Sequence, residues 1–468
     1  MTDATTVLAP PPVDDEPAIA ERIAKSVSCA DGKVLGLDEF HRWFAACAER
    51  NYTVVERIPL DELAGWATHP VTGNIVHESG KFFTVEGLDV RLPDAAVPAW
   101  TQPIINQPEI GILGILVKEF DGVLHCLMQA KVEPGNRNGV QLSPTVQATR
   151  SNYTRVHQGK PVPYLEYFRD RSGDRRVVAD VRQSEQGSWF HQKRNRNMII
   201  EVSSDVEVLD GFCWLSLGQV HALLHEEDVV NMDARTVLSC LPFAGPPDSS
   251  RMRDLLAWIT EARTRTDVYA DRIPLNEVSG WQRDGTAIRH ESGKFFNVIG
   301  VDVRAGGREV RRWCQPMIEP IGIGVVGMLV KRIDGVLHCL MNARVEPGYV
   351  DVVELAPTVQ CTPENYSVLP AAAQPPFLGE LLAAGPAQIR YDNLLSEEGG
   401  RFHHALNRYV AVETGIDVPP AKFPDYRWLS LPQLTDLLRH SHYVNIQARS
   451  IVACLHSLAG TAAGRGIR

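Results

Sequence analysis

The stretch HESGKFFTVEGLDVR at residues 77–91 decides the fold, because it returns at residues 290–304 as HESGKFFNVIGVDVR with three letters changed. The match runs without a gap from His77–Tyr153 to His290–Tyr366, at a constant shift of 213 residues. Flanking matches at shifts of 212 to 215 place small insertions in loops, where they cost little. The repeated unit is about 200 residues long, the size of a domain and not of a solenoid repeat. The sequence therefore predicts a tandem duplication of one fold.

The duplication predicts a first module at 21–242 and a second module at 251–468. The stretch between them, 243–250, reads FAGPPDSS and has the Pro, Gly and Ser content of a linker. Residues 1–20 are rich in Pro, Ala and acidic residues and lack the basic and apolar segments of a signal peptide. We expect these first residues to form a disordered tail.

Composition excludes several classes of protein. The 468 residues are 44% hydrophobic and 22% charged, which is ordinary for a globular protein, and the formal net charge is -10. This charge gives no long-range attraction to nucleic acid or to an anionic membrane. The nine cysteines are scattered without CxxC spacing, which favours reduced, buried thiols over a disulfide framework or a zinc site. We therefore expect a cytoplasmic protein with no nucleic-acid or membrane partner.

Local patterns predict an α+β fold, with helices on both sides of a mixed sheet. Asp121-Gly122 and Asp334-Gly335 separate apolar runs and are typical of tight hairpins, because both residue types tolerate positive φ. Ser216 and Ser430 precede amphipathic helices that they can cap, and LDEFHRWFAACAER has the period of another helix. Alternation in the strand after Gly122 places one polar set on a single face: His125, Gln129, Lys131 and Glu133.

That polar face could line a pocket, or it could be a partly solvated outer face. A second polar segment, SEQGSWFHQKRNRN, contains Lys193, Arg194 and Arg196, which could neutralise a diphosphate or form a solvated basic face. In the second copy, SEEGGRFHHALNRY, Ala405 and Leu406 replace the first two of these basic residues. The two copies are therefore chemically unequal at this segment.

Paired aromatic residues offer two further hypotheses. Tryptophans recur at 66 and 281 and at 100 and 313, where an indole could stack on a nucleobase or could pack in the core. Asn152-Tyr153 and Asn365-Tyr366 could supply an amide and a phenol to a ligand, or could form a turn with a buried tyrosine.

Motifs for cofactors and metals are missing from the sequence. There is no GxxxxGK[ST], no GxGxxG that opens a helix, no GxSxG, no HExxH and no Asp-rich metal loop. We therefore expect no metal and no cofactor, and a reaction that uses protein side chains and the reactivity of the substrate.

The segments HESGKFF, GVLHCLMQAKVEPG, LSPTVQAT and GSWFHQKRNRN together resemble the NDP-hexose 2,3-dehydratases, over about residues 35–456. That resemblance implies two tandem Nudix-like modules. The region that would hold a Nudix box reads NRNGVQLSPTVQATRSNY and lacks the REUxEE acids that bind metal in Nudix hydrolases. This departure argues against pyrophosphate hydrolysis.

The resemblance implies a substrate, dTDP-4-keto-6-deoxy-D-glucose, used in making antibiotic sugars. A base removes the C3 proton, the C4 oxygen develops enolate charge, and the C2 hydroxyl leaves with a proton. The product is a 3,4-diketo-2,6-dideoxy sugar, so no redox cofactor is needed. Because such a diketone is reactive, coupling to an NADPH-dependent 3-ketoreductase is expected, and a homodimer is the commonest assembly for such a chain.

The site residues implied by the resemblance are hypotheses at the level of single residues. The acid–base candidates are His77, Tyr153 and His191, although HESG could simply be a turn that His77 stabilises. Candidates for binding the sugar, the diphosphate or the thymine are Trp66, Lys81, Arg91, Trp100, Gln129, Lys131, Gln147, Lys193, Arg194 and Arg196. Their counterparts in the second module are Trp281, His290, Lys294, Arg304, Trp313, Arg344, Gln360, Tyr366, His403 and Arg408.

The loss of Lys193 and Arg194 from the second copy predicts that the first module carries catalysis. The second module would then be structural or would retain only nucleotide binding. Two other functions stay open at this point: a Nudix-type nucleotide-sugar hydrolase, and a non-catalytic nucleotide-sugar-binding protein.

Overall fold

The computed structural model describes residues 16–149, 161–169, 175–243, 249–306 and 311–461. These described ranges form a mixed α+β fold with nine helices and several sheets. The helices are α1 (Glu16–Val27), α2 (Leu37–Arg50), α3 (Glu166–Arg169), α4 (Leu217–Leu223), α5 (Met232–Leu238), α6 (Ser249–Arg265), α7 (Leu378–Leu382), α8 (Leu431–Leu438) and α9 (Ile446–Thr461). Short 3-10 turns span Leu60–Glu62, Leu275–Glu277, Pro363–Ser367 and Ala371–Ala373.

The strands fall into two matching series. Those of the first half are β1 (Thr53–Ile58), β2 (Trp66–Thr68), β3 (Ile75–His77), β4 (Thr84–Arg91), β5 (Ala99–Asn106), β6 (Gly111–Phe120), β7 (Val123–Val132), β8 (Val140–Ser143), β9 (Val146–Ala148), β10 (Arg175–Ser184), β11 (Phe190–His191), β12 (Arg194–Val202) and β13 (Phe212–Ser216). Those of the second half are β14 (Tyr269–Ile273), β15 (Trp281–Arg283), β16 (Ala287–His290), β17 (Phe296–Ala305), β18 (Arg312–Pro320), β19 (Gly324–Ile333), β20 (Val336–Arg344), β21 (Glu354–Ala356), β22 (Val359–Cys361), β23 (Ile389–Ser396), β24 (Leu406–Glu413) and β25 (Tyr426–Ser430).

Each half contains one large mixed sheet, and the two large sheets have the same topology. In the first half the order is β10-β12-β6-β7-β13, with β8 on β7 and β9 on β6. In the second half β23, β24, β19, β20 and β25 follow in the corresponding order, with β21 on β20 and β22 on β19. The β12–β6 and β24–β19 pairs are parallel and the other pairs in these sheets are antiparallel. The duplication read from the sequence is therefore also present in the strand order.

The local signals that predicted these elements have the expected geometry. The hairpin residues Asp121 and Gly122 have φ of 48° and 73°, and Asp334 has φ of 50°. Ser216 and Ser430 each form a capping box, at the start of α4 and of α8. Helix α2 has the bounds of the predicted segment LDEFHRWFAACAER.

Both faces of the large sheet in the first half are covered. Leu113 and Ile115 on β6 pack with side chains of α1, α4 and α5. The alternate residues Ile112 and Leu116 pack on the opposite face with Phe168 of α3. The period of two thus separates two cores, one on each face of this sheet.

One strand from each half is exchanged into the small sheet of the other half. Strand β1 pairs antiparallel with β17, from Thr53 opposite Ala305 to Ile58 opposite Gly300. Its counterpart β14 pairs antiparallel with β4 in the same manner. The small sheets are therefore β1-β17-β16-β15 with β18, and β11-β5-β4-β3-β2 with β14. The two halves are contiguous in sequence but interlocked in space.

Two glycine turns join the halves by a close backbone contact. Gly135 N donates to Gly399 O at 2.7 Å, and Gly348 N donates to Gly187 O at 2.7 Å. A Cβ on Gly135 would lie 1.7 Å from Phe402 O, so no other residue fits without displacing backbone. The repeated VEPG turn is therefore a docking point between the halves.

The predicted tail and linker lie at the borders of the described ranges. Helix α1 begins at Glu16, inside the predicted tail 1–20, and residues 1–15 lie outside the described ranges. Helix α6 begins at Ser249, inside the predicted linker 243–250, and residues 244–248 also lie outside them.

A protease recognition sequence placed at 244–248 tests the strand exchange. After cleavage there, both fragments should elute together at the volume of the intact chain, because β1 and β14 remain hydrogen-bonded to the opposite fragment. Size-exclusion chromatography followed by denaturing electrophoresis measures this, and the same run in concentrated urea should separate the fragments. Two separate peaks in native buffer would contradict the exchange.

Substituting the docking glycines should destabilise the chain. In Gly135→Ala and Gly348→Ala the new Cβ would lie 1.7 Å from Phe402 O and 1.8 Å from Phe190 O. Overpacking of this kind costs about 1–3 kcal/mol of the free energy of unfolding, measured by urea titration. The control is Gly415→Ala, where no heavy atom lies within 4 Å of the added Cβ. Equal unfolding midpoints for all three variants would show that the turns do not dock the halves.

Candidate active site

A chain of hydrogen bonds collects polar side chains at the end of β7. Gln147 on β9 donates from Nε2 to Glu133 Oε1 at 2.7 Å. Asn231, which caps α5, donates from Nδ2 to Gln147 Oε1 at 3.3 Å. Lys131 Nζ lies 3.2 Å from Gln147 O, on the same face of β7 as Glu133 because the two residues are two positions apart. A carboxylate, an amide and an ammonium group therefore meet at one place.

The second half completes this site. The carboxyl oxygens of Glu398 accept the backbone N–H groups of Gly400 and Arg401, at 2.9 and 2.8 Å. The Arg401 guanidinium lies 4.3 Å from the ring centroid of Phe83 and donates from Nε to Gln107 Oε1 at 3.2 Å. The turn that carries these two charged residues is the one that docks on Gly135. The site consequently exists only when both halves are assembled.

Three carboxyl groups of the site have pKa values raised above their usual range. Burial, together with the carboxyls of Glu185, Glu133 and Glu398, raises the pKa of Asp233 well above its usual value. Burial also raises the pKa of Glu185, and burial and Glu133 raise the pKa of Glu398 to about 7. Glu185 Oε2 and Asp233 Oδ1 are buried and have no hydrogen-bond partner among the described residues. Glu398 can therefore hold and exchange a proton near neutral pH.

Lys193 supplies a buried ammonium group beside these acids. Its side chain is almost fully buried, and Nζ donates to Glu109 O. Burial lowers the pKa of Lys193 to about 8, against the opposing effect of Glu185 and Glu109. We call the following set the first-half cluster: Lys131, Glu133, Gln147, Glu185, Lys193, Asn231, Asp233, Glu398 and Arg401.

The second half carries a corresponding set. Gln360 donates from Nε2 to Glu346 Oε1 at 2.7 Å, and Asn445 donates from Nδ2 to Gln360 Oε1 at 2.8 Å. Arg344, at the position of Lys131, donates from Nε to Glu346 Oε1 at 3.1 Å. We call the following set the second-half cluster: Gln186, Arg344, Glu346, Gln360, Glu397, Asn445 and Gln447.

The two clusters differ most at the positions where the first-half cluster has carboxyl groups. Glu397 Oε2 accepts the amides of Gln186 and Gln447, at 3.1 and 3.4 Å. In the repeat, Gln186 corresponds to Glu398 and Gln447 corresponds to Asp233. Two groups that can ionise in the first-half cluster are thus replaced by amides that cannot.

The predicted catalytic His77 is the last residue of β3 and lies at the start of a turn. Its Nδ1 accepts the backbone N–H of Ser79 at 3.1 Å, and His290 makes the same contact with Ser292 at 3.1 Å. The His77 ring packs edge-on against Trp66, with centroids 5.2 Å apart. The contacts are those of a histidine that stabilises a turn, which is the alternative that the sequence left open.

Trp66 and Trp281 make reciprocal contacts between the halves. The indole N–H of Trp66 donates to Cys314 O at 2.8 Å, and that of Trp281 donates to Thr101 O at 3.0 Å. Both rings are half-buried in the core between the small sheets. This geometry favours core packing over stacking on a base.

Trp100 and Trp313 also have protein partners. Their indole N–H groups donate to Gln102 Oε1 and Gln315 Oε1, at 2.8 and 2.9 Å. Gln315 in turn donates to Gly400 O at 2.7 Å, in the turn that carries Glu398. These tryptophans therefore help to position the turns that carry residues of the clusters.

Four of the predicted diphosphate-binding or equivalent arginines lie in ion pairs on strand surfaces. The pairs are Arg91 with Asp271 (3.1 Å), Arg304 with Glu56 (3.0 Å), Arg196 with Asp180 (2.6 Å) and Arg408 with Asp392 (2.7 Å). Arg194 is half-buried on β12, and burial lowers its pKa. Lys81 is exposed and Lys294 half-buried, each after its histidine turn, while Gln129 is half-buried opposite Ser143.

The remaining predicted residues lie near the contact between the halves. His191 is half-buried in β11, and its pKa is lowered by burial. Burial and the neighbouring His404 lower the pKa of His403 to about 4. Tyr153 lies outside the described residues. Its counterpart Tyr366 is largely buried beside Cys361 and Arg344, and burial raises its pKa.

Sequence reasoning therefore named part of the first-half cluster. Lys131, Gln147 and Lys193 were predicted binding residues and lie in the first-half cluster. Glu133 was placed on the correct strand face but was given no role, and the acids Glu185, Asp233 and Glu398 were missed with Arg401. Two of these acids, Asp233 and Glu398, are replaced by glutamine in the other copy. That difference between the copies could have indicated them.

An open pocket in the second half contains none of the residues of either cluster. It lies between α6 and β20 and is lined by Asp254, His338 and Trp428, among others. In the first half, α1 and the loop after it cover the same place, where Lys33 N donates to His125 Nε2 at 3.0 Å. The pocket thus reflects the second half having no counterpart of α1 in the described chain.

Within the described ranges, no group of three or more His, Cys, Asp or Glu side chains is arranged to hold a metal ion. None of the helices that the structure describes is long and apolar enough to cross a membrane.

Comparison with known proteins identifies the family. The family model described as NDP-hexose 2,3-dehydratase matches residues 37–241 and again residues 252–455. A dTDP-4-dehydro-6-deoxy-alpha-D-glucopyranose 2,3-dehydratase of Saccharopolyspora spinosa is 52% identical over 461 residues, with 93% of this chain and 95% of that protein covered. Proteins of the same name from Amycolatopsis orientalis and Streptomyces violaceoruber are 50% and 47% identical, over 95% and 91% of this chain and 95% and 98% of their own.

A crystal structure of an ADP compounds hydrolase matches 37% of this chain and 89% of its own, at 17% identity and a TM-score of 0.24, which is too low to support a fold assignment.

The double match and the shared strand order define the class: a duplicated α+β enzyme with a buried carboxyl and lysine site. The chain belongs to the NDP-hexose 2,3-dehydratase family.

Replacing the inter-half tryptophan tests whether it stacks on the nucleobase. Trp66→Leu should lower the free energy of unfolding by about 3 kcal/mol, since it removes ring packing and the bond to Cys314 O, and should leave dTDP affinity unchanged. Trp281→Leu is the matched control and should behave alike in urea titration and in calorimetric dTDP binding. A tenfold loss of dTDP affinity in Trp66→Leu alone would instead support the stacking hypothesis.

Proposed function

We propose that this chain removes the C2 hydroxyl of dTDP-4-keto-6-deoxy-D-glucose and gives dTDP-3,4-diketo-2,6-dideoxy-D-glucose. The observation that carries the proposal is similarity over the whole chain: three relatives at 47–52% identity, covering 91–95% of it, all have the 2,3-dehydratase name. The missing REUxEE acids argue against the hydrolase alternative.

The first-half cluster has the groups that this reaction needs. The C4 ketone acidifies the C3 hydrogen, so a base can remove it while a donor stabilises charge on the C4 oxygen. An acid must then protonate the departing C2 oxygen. Acid–base groups contribute about 10²–10⁴-fold each, and they work best with a pKa near the operating pH. Carboxyl groups with raised pKa values beside buried ammonium groups meet both conditions.

The cations of the cluster suit the charged parts of the substrate. We assign Lys131 and Gln147 to the sugar and its C4 oxygen, and Lys193 with Arg401 to the diphosphate. Hydrogen bonds to charged groups contribute about 1.5–3 kcal/mol each, so losing one cation should weaken binding appreciably. The acid–base roles of His77, Tyr153 and His191 stay predictions.

Catalysis belongs to the first-half cluster. The second-half cluster has Gln186 and Gln447 in place of two acids and Ala405 in place of Lys193. An amide neither accepts a proton from carbon nor protonates a leaving group, so the second-half cluster has a structural role, or at most binds nucleotide.

Several further features belong to the same proposal. Each half is a Nudix-like module, as the resemblance implies, and the duplication itself is supported by the double family match and the shared topology of the large sheets. The enzyme is a cytoplasmic homodimer in an antibiotic deoxysugar pathway and binds no nucleic acid. Its reactive diketone is consumed by an NADPH-dependent 3-ketoreductase.

The proposal is tested in deuterium oxide with dTDP-4-keto-6-deoxy-D-glucose, EDTA and no nicotinamide, with and without a 3-ketoreductase to trap the diketone. NMR and mass spectrometry should show loss of the C2 oxygen and deuterium at C2. Glu133→Gln should lower the rate, because it removes the carboxylate that orients the Gln147 amide, while the matched Glu346→Gln should stay close to the wild-type rate. Unchanged sugar would refute the dehydratase, and equal loss in both variants would refute the assignment to the first-half cluster.

A further inference from the structure

Glu398 is held in the geometry of a carboxylate base. Its two oxygens accept backbone N–H groups of its own turn, one from Gly400 and one from Arg401. Donors aimed at both oxygens stabilise the charged form, while burial and Glu133 oppose it. Glu398 is half-buried, whereas Glu185 is buried.

The surroundings of Asp233, by contrast, favour the protonated form of its carboxyl group. It is 4% exposed, and Oδ1 is buried with no partner among the described residues. Its electrostatic neighbours are the carboxyls of Glu185, Glu133 and Glu398, with Lys131 as the opposing charge. A group surrounded by acids and lacking a donor is stabilised by keeping its proton.

The second half shows what these positions require. Gln447, at the position of Asp233, donates an N–H to Glu397 at 3.4 Å. Glu397 is the counterpart of Glu185. A protonated carboxyl group is the titratable equivalent of that amide, because it too can donate to a neighbouring carboxylate. The repeat thus indicates that a hydrogen-bond donor belongs at residue 233.

We propose that Asp233 of the first half donates the proton to the departing C2 hydroxyl, and that Glu398 of the second half removes the C3 proton. This assignment rests on the proposed dehydratase function. The acid and the base therefore come from different halves of the duplicated chain.

The step balances as an elimination of water. The C3–H bond breaks and its proton goes to Glu398, while its electron pair forms the C2=C3 double bond. The C2–O bond breaks, and the oxygen takes the proton of Asp233 and leaves as water. The enol at C3 then tautomerises by gaining a proton at C2, which gives the 3,4-diketone without oxidant or reductant.

The assignment predicts a pH profile with two limbs. The rate should rise with pH as Glu398, with its pKa of about 7, loses its proton and becomes a base. It should fall again at higher pH as Asp233, whose pKa is also raised, loses the proton it must donate. With fluorine in place of the C2 hydroxyl, the alkaline fall should disappear, because fluoride leaves without a proton.

The deciding experiment compares the hydroxyl substrate with its 2-fluoro analogue, using ¹H and ¹⁹F NMR. Asp233→Asn should lose about 10²–10⁴-fold on the hydroxyl substrate and stay near wild type on the fluoro analogue. Glu398→Gln should lose similarly on both substrates. Gln447→Asn is the matched control on the second half and should change neither rate.

Each outcome separates the inference from the function on which it rests. A wild-type enzyme that does not turn over the hydroxyl substrate refutes the proposed function itself. An active wild type with Asp233→Asn impaired equally on both substrates, or on neither, overturns the role of Asp233 alone. Because both variants introduce amides, as the second-half cluster already has at both positions, urea midpoints near wild type are expected. If Asp233→Asn fails to fold, Asp233→Glu takes its place and should show the fall in rate at high pH, at a reduced overall rate. A pH profile of Asp233→Glu without that fall also overturns the assignment.

Discussion

Two buried arginines, Arg235 and Arg449, hold the structure together at the contact between its halves. Arg235 donates to Ser396 O at 2.6 Å and to Ser450 Oγ at 3.0 Å, and Arg449 makes the reciprocal bonds to Ser184 O and Thr236 Oγ1, both at 2.5 Å. Both side chains are fully buried, so their charges depend on these acceptors in the opposite half. If the halves separated, each guanidinium and each carbonyl would lose a partner.

The position of these bonds links folding to chemistry. Ser184 and Ser396 end the strands that lead directly into Glu185 and Glu397, the central acids of the two clusters. Fixing the carbonyl of each serine fixes the start of the turn that crosses to the other half. The glycine docking points hold the far end of the same turns. The geometry of the site is therefore a consequence of the contact between the halves, and the exchanged strands β1 and β14 make that contact hard to open.

Local structure was readable from the sequence because it depends on near neighbours. The Asp-Gly hairpins, the capping serines, helix α2 and the two faces of β7 all follow from spacing and residue type. The exchange of β1 and β14 was not readable, because both copies have nearly the same pattern and each strand fits either small sheet. Of the first-half cluster, Lys131, Gln147 and Lys193 were predicted, since they lie near polar segments of their own half. Glu398 and Arg401 were not predicted, because they reach the cluster from the other half. The role of His77 stays a prediction, because a turn histidine and a catalytic histidine look alike in sequence.

One physical argument explains why the two halves share a fold while the two clusters differ in their ionisable groups. The contacts that assemble the halves are backbone bonds, glycine contacts and paired arginines, and they are present in both copies because both must dock. A buried acid is costly unless a partner or a proton compensates it, whereas an amide in the same place gives a satisfied hydrogen bond. At the positions of Glu398 and Asp233 the second-half cluster has the amides of Gln186 and Gln447, which donate to Glu397. The first-half cluster keeps the costly groups, and such strain is expected where a reaction needs protons to move.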